Sequence, residues 1–123
     1  MRFLCLIHLN EAELAAIPEA ELGVLNEEHV AVARELEQSG HLIQAEPLSP
    51  SKLSACVRVR DGRAAVVDGP FAETKEVVGG FYLIEAKDQA EALQIAARIP
   101  AARLWTVEVR PTMHLAKDGE VIW

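Results

Sequence analysis

The sequence predicts an α+β domain of ferredoxin-like plan, a two-layer sandwich carrying an inserted β-hairpin. Three observations predict it. Two segments repeat apolar residues at helical spacing, four others read as short strands, and a hairpin with a strong turn pair interrupts the middle. The resulting order is β-α-β-(hairpin)-β-α-β.

Arg2 to Leu9 is a short apolar run of the buried-strand type. Asn10 and the Glu11–Ala16 stretch suggest a brief helical turn. Pro18 can open a helix, since its missing N–H is not needed in the first turn. From there Leu22, Leu25, His29, Val32 and Leu36 recur at steps of 3 and 4, predicting one helix over 18–39 that stops at Gly40. His41–Ala45 reads as a second strand. Ser54–Arg60 and Arg63–Asp68 form a hairpin across Asp61-Gly62, the favoured type I′ pair. Val77–Glu85 is a strand whose Gly79-Gly80 hints at a bulge or a close backbone approach. Asp88 with Glu91 caps a second helix over Ala90–Arg98, and Trp105–Arg110 is the last strand. The tail from Met113 to Trp123 carries an Asp118-Gly119 turn signal and no assigned element. Two helices cover only one face of the sheet, so a second copy is expected on the other and the chain is expected to be a homodimer.

The chain has 123 residues, half of them hydrophobic, and a formal net charge of −7. One domain over 1–123 suits that length. No apolar run reaches the roughly 18–20 residues a bilayer requires, and Phe3–Ile7 is too short for a signal-peptide core. Cys5 and Cys56 make no disulfide framework, which points to a reducing cytoplasm. The acidic balance argues against nucleic acid, whose phosphates call for concentrated Lys and Arg. A membrane partner is likewise not expected.

Among the chemistry-bearing residues, His29 comes first because it interrupts an apolar stripe. It reads either as a core histidine bonded to a backbone carbonyl or as a general acid/base titrating near neutral pH. Its neighbour Glu28 points about 100° away and reads as a solvated charge. In the hairpin register, Val57, Val59, Ala64, Val66 and Asp68 share one face, which is expected to lie beneath the helices, so Asp68 is expected in one layer with His29. The ordinary Asx-turn is closed to Asp68 because the residue two places on is Pro70, which has no N–H. An aspartate accepting an imidazole N–H fixes its tautomer and raises its basicity. Gly69 lets the chain turn, and Phe71 is read as a pocket wall or a core aromatic. Tyr82 and Trp105 lie in strands and read as packing residues. Gly69, Phe71 and Tyr82 make up the candidate substrate-binding set beside the catalytic candidates His29 and Asp68. His8, His41 and His114 show no metal-ligand spacing, neither cysteine has a base nearby in sequence, and no nucleotide fingerprint is present. No metal and no cofactor is therefore expected. Arg58, Arg60 and Arg63 read as solvated or intersubunit charges.

At Asp68-Gly-Pro-Phe-Ala-Glu-Thr-Lys-Glu76 and Gly79-Gly-Phe-Tyr-Leu-Ile-Glu85 the sequence resembles the DGPF-motif proteins of the YCII-related family. Glu28-His29, Val57-Arg-Val-Arg-Asp-Gly62, Ala96-Ala-Arg-Ile-Pro100 and Val107-Glu-Val-Arg-Pro111 extend the likeness over Met1 to Pro111. The resemblance implies a bacterial protein, a ferredoxin-like dimer of the dimeric α/β-barrel kind, and a functional histidine at His29. Where the wider family often has Asp-Pro after the second helix, this chain has Ile99-Pro100, which leaves Asp68 as the candidate carboxylate. Two functions are then expected as alternatives, the first from a titratable pair in one apolar layer and the second from the lack of a strong catalytic constellation and the departure at Ile99. One is a lyase or isomerase acting on a small, aromatic or lactone-like molecule through a His29–Asp68 pair. The other is a non-catalytic ligand-binding or regulatory dimer tied to sigma-factor signalling.

Overall fold

The structure is a computed structural model that describes the whole chain except residues 73, 114–115, 118–119 and 122–123. Strand β1 (Arg2–Leu9) leads to a one-turn helix α1 (Glu11–Ala15) and then to the long helix α2 (Glu19–Gln38). Strand β2 (Leu42–Pro47), a 3-10 turn (Ser51–Leu53) and a hairpin of β3 (Ala55–Arg60) and β4 (Arg63–Asp68) follow. Strand β5 (Val77–Glu85), helix α3 (Gln89–Ala97), a second 3-10 turn (Pro100–Arg103) and β6 (Thr106–Pro111) complete the body. A short pair, β7 (Ala116–Lys117) with β8 (Glu120–Val121), lies in the tail; the expected turn at Asp118-Gly119 falls outside the described residues.

β2, β5, β1 and β6 form one sheet in that order, with every pairing antiparallel. This is the ferredoxin-like strand order, so the α+β plan stands. The helix boundaries follow local chemistry. Asn10 accepts the Glu13 N–H at 2.9 Å to cap α1, and Asp88 accepts the Glu91 N–H at 2.9 Å to cap α3. Helix α2 ends as expected: Gly40 takes φ +80, and the His41 N–H reaches back to the Leu36 carbonyl at 2.8 Å. Strand β2 runs two residues further toward the C-terminus than the periodicity places it, and β6 one residue further, where boundaries are weakly signalled.

Alternation along β1 separates two faces. Phe3, Cys5, Ile7 and Leu9 are buried beneath the helices with Tyr82 and Ile84 of β5, and Leu36, Ala92, Ile95 and Ile99 close the layer from above. Leu4, Leu6, Phe81 and Leu83 occupy the opposite face, which no described helix covers, and are only partly buried. Among the described residues no helix is long and apolar enough to cross a membrane.

The glycine pair is both a bulge and a close approach. Ile7 pairs with Gly80 but His8 pairs with Val78, which leaves Gly79 as the extra residue. A Cβ on Gly79 would fall within the Leu9 side chain, and one on Gly80 would stand 3.1 Å from the Glu46 carbonyl oxygen.

The hairpin departs from expectation. Asp61 and Gly62 have φ of +52 and +72, as a type I′ turn requires, and the register pairs Val57 with Val66 and Ala55 with Asp68. Yet β3 and β4 form a separate two-stranded sheet that makes only marginal contact with the rest of the chain. Its valine face does not lie beneath the helices: Val57 and Val66 are each 69% exposed. The physical reason is that the buried faces of α2 and α3 pack on the four-stranded sheet, and neither β3 nor β4 pairs with a strand of that sheet.

Gly79→Ala is expected to destabilise the fold by roughly 1–3 kcal/mol through overpacking against Leu9. Urea denaturation followed by circular dichroism measures it; Gly23→Ala, with open space around the added Cβ, is the control that lacks this overpacking penalty.

Candidate active site

Where α2 crosses the bulged end of the sheet, the facing residues are small. Ala33 of α2, Ala45 of β2, Gly79 and Gly80 of β5, and Ala101 line a cavity of about 500 Å³. Larger apolar residues, among them Ile7, Leu9, Leu25 and Leu48, complete its walls, and Trp105 stands in the lining with its indole N–H donated to Glu13 Oε2 at 2.8 Å. The volume suits a small organic ligand, and the walls are mostly hydrocarbon.

His29 and Tyr82 are the paired polar groups of this apolar space. His29 Nδ1 lies 2.8 Å from the Tyr82 hydroxyl, and the two rings stack at 6.1 Å between centroids. Each is placed by its element. His29 lies on the α2 stripe that includes the buried Leu25 and Leu36, and Tyr82 occupies the helix-facing side of β5, opposite Cys5 and 4% exposed. A buried tyrosine must give its hydroxyl a partner, and His29 is that partner. The backbone-carbonyl bond expected of a core histidine is absent. His29 Nε2 makes no hydrogen bond among the described residues, yet no buried side-chain nitrogen or oxygen is left unpaired, so Nε2 remains accessible.

Burial lowers the His29 pKa below its ordinary 6.5, the Glu28 charge pulls it up, and the Arg103 guanidinium pushes it down. Glu28 and Arg103 are themselves ion-paired at 2.8 Å and act on the ring in opposite senses, and desolvation is the largest influence. Burial also pushes the Tyr82 phenol up to about 12. At neutral pH the pair is therefore an uncharged imidazole against an uncharged phenol. The Nδ1–H tautomer donates to the Tyr82 oxygen and presents a basic Nε2; the other tautomer accepts the phenol O–H and presents an acidic Nε2–H.

The remaining sequence-predicted residues are placed elsewhere. Asp68 is exposed at the end of β4, outside the cavity lining, and its side chain makes no hydrogen bond among the described residues. The expected shared layer with His29 is not formed, because the hairpin that carries Asp68 stands off the helices. Gly69 takes φ +96 and gives its N–H to the Ser54 carbonyl at 2.6 Å, so it shapes the hairpin exit rather than the cavity. Phe71 is 84% exposed and walls nothing within the chain. Of the five candidates, the structure brings together His29 and Tyr82. Sequence reasoning missed the Glu28–Arg103 bridge; the alternation that buries Tyr82 with Ile84 was the available signal for the His29 partner. Burial pushes the Cys5 thiol up to about 11, which makes it a poor nucleophile, and the Cys56 thiol donates to the Gly69 carbonyl at 3.5 Å.

A model of the YCII-related domain matches residues 1–116, nearly the whole chain. The chain belongs to the YCII-related family. The chain is also similar to a protein of Rhizobium meliloti (strain 1021), described as uncharacterised, at 42% identity over 93 residues, spanning 74% of each chain. The matched region of this YCII-related chain spans every element that builds the cavity, from β1 through β6.

Removing the cation with Arg103→Gln is expected to raise the His29 pKa, measured by NMR titration of the ring protons. Because the folded value is depressed, the unfolded chain binds the extra proton. The stability gained from neutral His29 is thus full above 6.5 and is lost as pH falls through the folded value. Denaturation midpoints compared at pH 7.5 and 5 are expected to fall more for wild type than for His29→Gln.

Proposed function

We propose that this YCII-related chain binds a small, mostly apolar molecule in the His29–Tyr82 cavity and moves a proton on it. The observation that carries this reading is an accessible Nε2 on a neutral, half-buried imidazole whose other nitrogen is held at 2.8 Å by a phenol. In the basic tautomer Nε2 takes a proton from an activated C–H of the ligand. The charge then spreads over an imidazolium whose Nδ1–H stays bonded to the Tyr82 oxygen. Returning the proton at a second carbon completes an isomerisation; loss of a leaving group from the adjacent carbon completes an elimination. The apolar walls favour ring-bearing or lactone-like ligands and exclude competing water. Tyr82 takes the positioning part first sought in Asp68.

The open sheet face supports self-association. Leu4, Leu6, Phe81 and Leu83 form a central apolar strip on it, with His8 and Glu108 bonded at 2.8 Å to one side. Two copies stacking these faces bury the strip in the manner of a two-sheet barrel.

A thermal-shift screen of hydroxylated aromatics and lactones tests the site. Hits are expected to stabilise wild type, and His29→Ala is expected to abolish turnover of any hit that reacts. Tyr82→Phe keeps the cavity and removes one hydrogen bond, so it is expected to lower turnover by about 10-fold, an effect on the order of 1 kcal/mol. Activity is expected to fall as acid protonates His29. Hits that bind His29→Ala and wild type equally and never react would favour a pure binding module.

A further inference from the structure

We infer that the ligand of the His29 cavity has two parts: a ring held beside His29 and Tyr82, and an uncharged hydrocarbon tail that lies in a second cavity next to it. This two-part form rests on the cavity reading proposed above and adds the ligand's overall shape. The second cavity has a volume of about 580 Å³ and lies under α1 and the 3-10 turn at Ser51–Leu53. Leu9, Leu14, Leu22, Leu48 and Gly79 line both spaces, so the two meet across leucine side chains and the bare backbone of the bulge. Leu48 is 49% exposed, and exposed side chains change rotamer within nanoseconds. A flexible chain therefore passes from one space to the other without any backbone opening.

The lining selects hydrocarbon for the second part. Beyond the shared leucines, Ala12, Ala15, Ile17, Pro50 and Val78 add apolar wall. The polar groups there are engaged with one another. The Glu11 carboxylate accepts the Ser51 hydroxyl and, at 2.9 Å, the Ser51 N–H, which ties α1 to the 3-10 turn and roofs the space. The Ser51 hydroxyl, then its N–H, hold the Glu11 carboxyl below its ordinary 4.5, and the Lys52 charge adds to them. A charged tail would meet a carboxylate and an ammonium side by side, and so gains little from either. A hydrocarbon tail takes apolar wall out of water, including Leu48 and the 38%-exposed Val78. The end of the ligand that needs hydrogen bonds is the ring, because His29 and Tyr82 line the first space and not the second.

Calorimetric titration with γ-valerolactone, γ-nonalactone and γ-undecalactone tests the two-part form, since these share one ring and differ only in the length of the alkyl chain. Wild type is expected to bind about 4-fold tighter for each added methylene that enters the second cavity. Ala12→Phe fills that cavity from α1, where no residue is buried, so the core is left intact. It is expected to bind γ-nonalactone no more tightly than γ-valerolactone, with an unchanged far-ultraviolet spectrum. Ala15→Phe, one turn on along the same face, is the second variant should the first misfold. His29→Ala is expected to weaken all three lactones by a common factor and to keep the steps between them. Equal binding of the three lactones by wild type overturns the two-part form and leaves the His29 cavity standing. So does a chain-length gain that survives in both folded phenylalanine variants. Failure of all three lactones to bind wild type counts against the cavity reading itself, and the two-part form falls with it.

Discussion

Strand register governs this molecule. Because β1 and β5 pair with Cys5 opposite Tyr82 and Phe3 opposite Ile84, one set of alternate residues goes under the helices and the other faces away. A slip by one residue would expose Phe3, Cys5 and Tyr82 and bury Leu4, Leu6 and Phe81 in their place. The hydrogen bond between His29 and Tyr82 exists only in the observed register, since only there does the phenol meet the stripe of α2. The bulge at Gly79 adjusts the same register locally, bringing Leu9 against the strand and leaving bare backbone at the cavity floor.

Much of this was legible in the chain itself. The helix face from Leu22 to Leu36, the Asp61-Gly62 turn, the Asp88 cap and the glycine bulge are local signals, set by residues a few positions apart, and each appears where it is expected. The hairpin's destination was not legible, because alternation tells which residues share a face and not what that face meets. Val57, Val59 and Val66 read equally well as core or as an unmet surface. The error over Asp68 follows from that ambiguity, since its placement beside His29 was inherited from the hairpin's supposed position.

Tyr82 shows the complementary lesson. A tyrosine alternating with Ile84 in a buried strand must satisfy its hydroxyl, and the polar residue in the facing helix stripe was the nearest candidate. Joining those two requirements needs the helix and the strand to be set against each other, which depends on contacts between residues 53 apart in sequence. The Glu28–Arg103 bridge is longer-ranged still. It ties the helix to the second 3-10 turn, and its two charges act on the imidazole in opposite senses.

The indole at position 105 has an optical consequence. Its ring borders the cavity and its N–H is anchored to a carboxylate on α1, so its surroundings differ between a water-filled and an occupied space. The molecule thereby carries an intrinsic fluorophore beside its own site, and changes in its emission colour and intensity register occupancy without any attached dye.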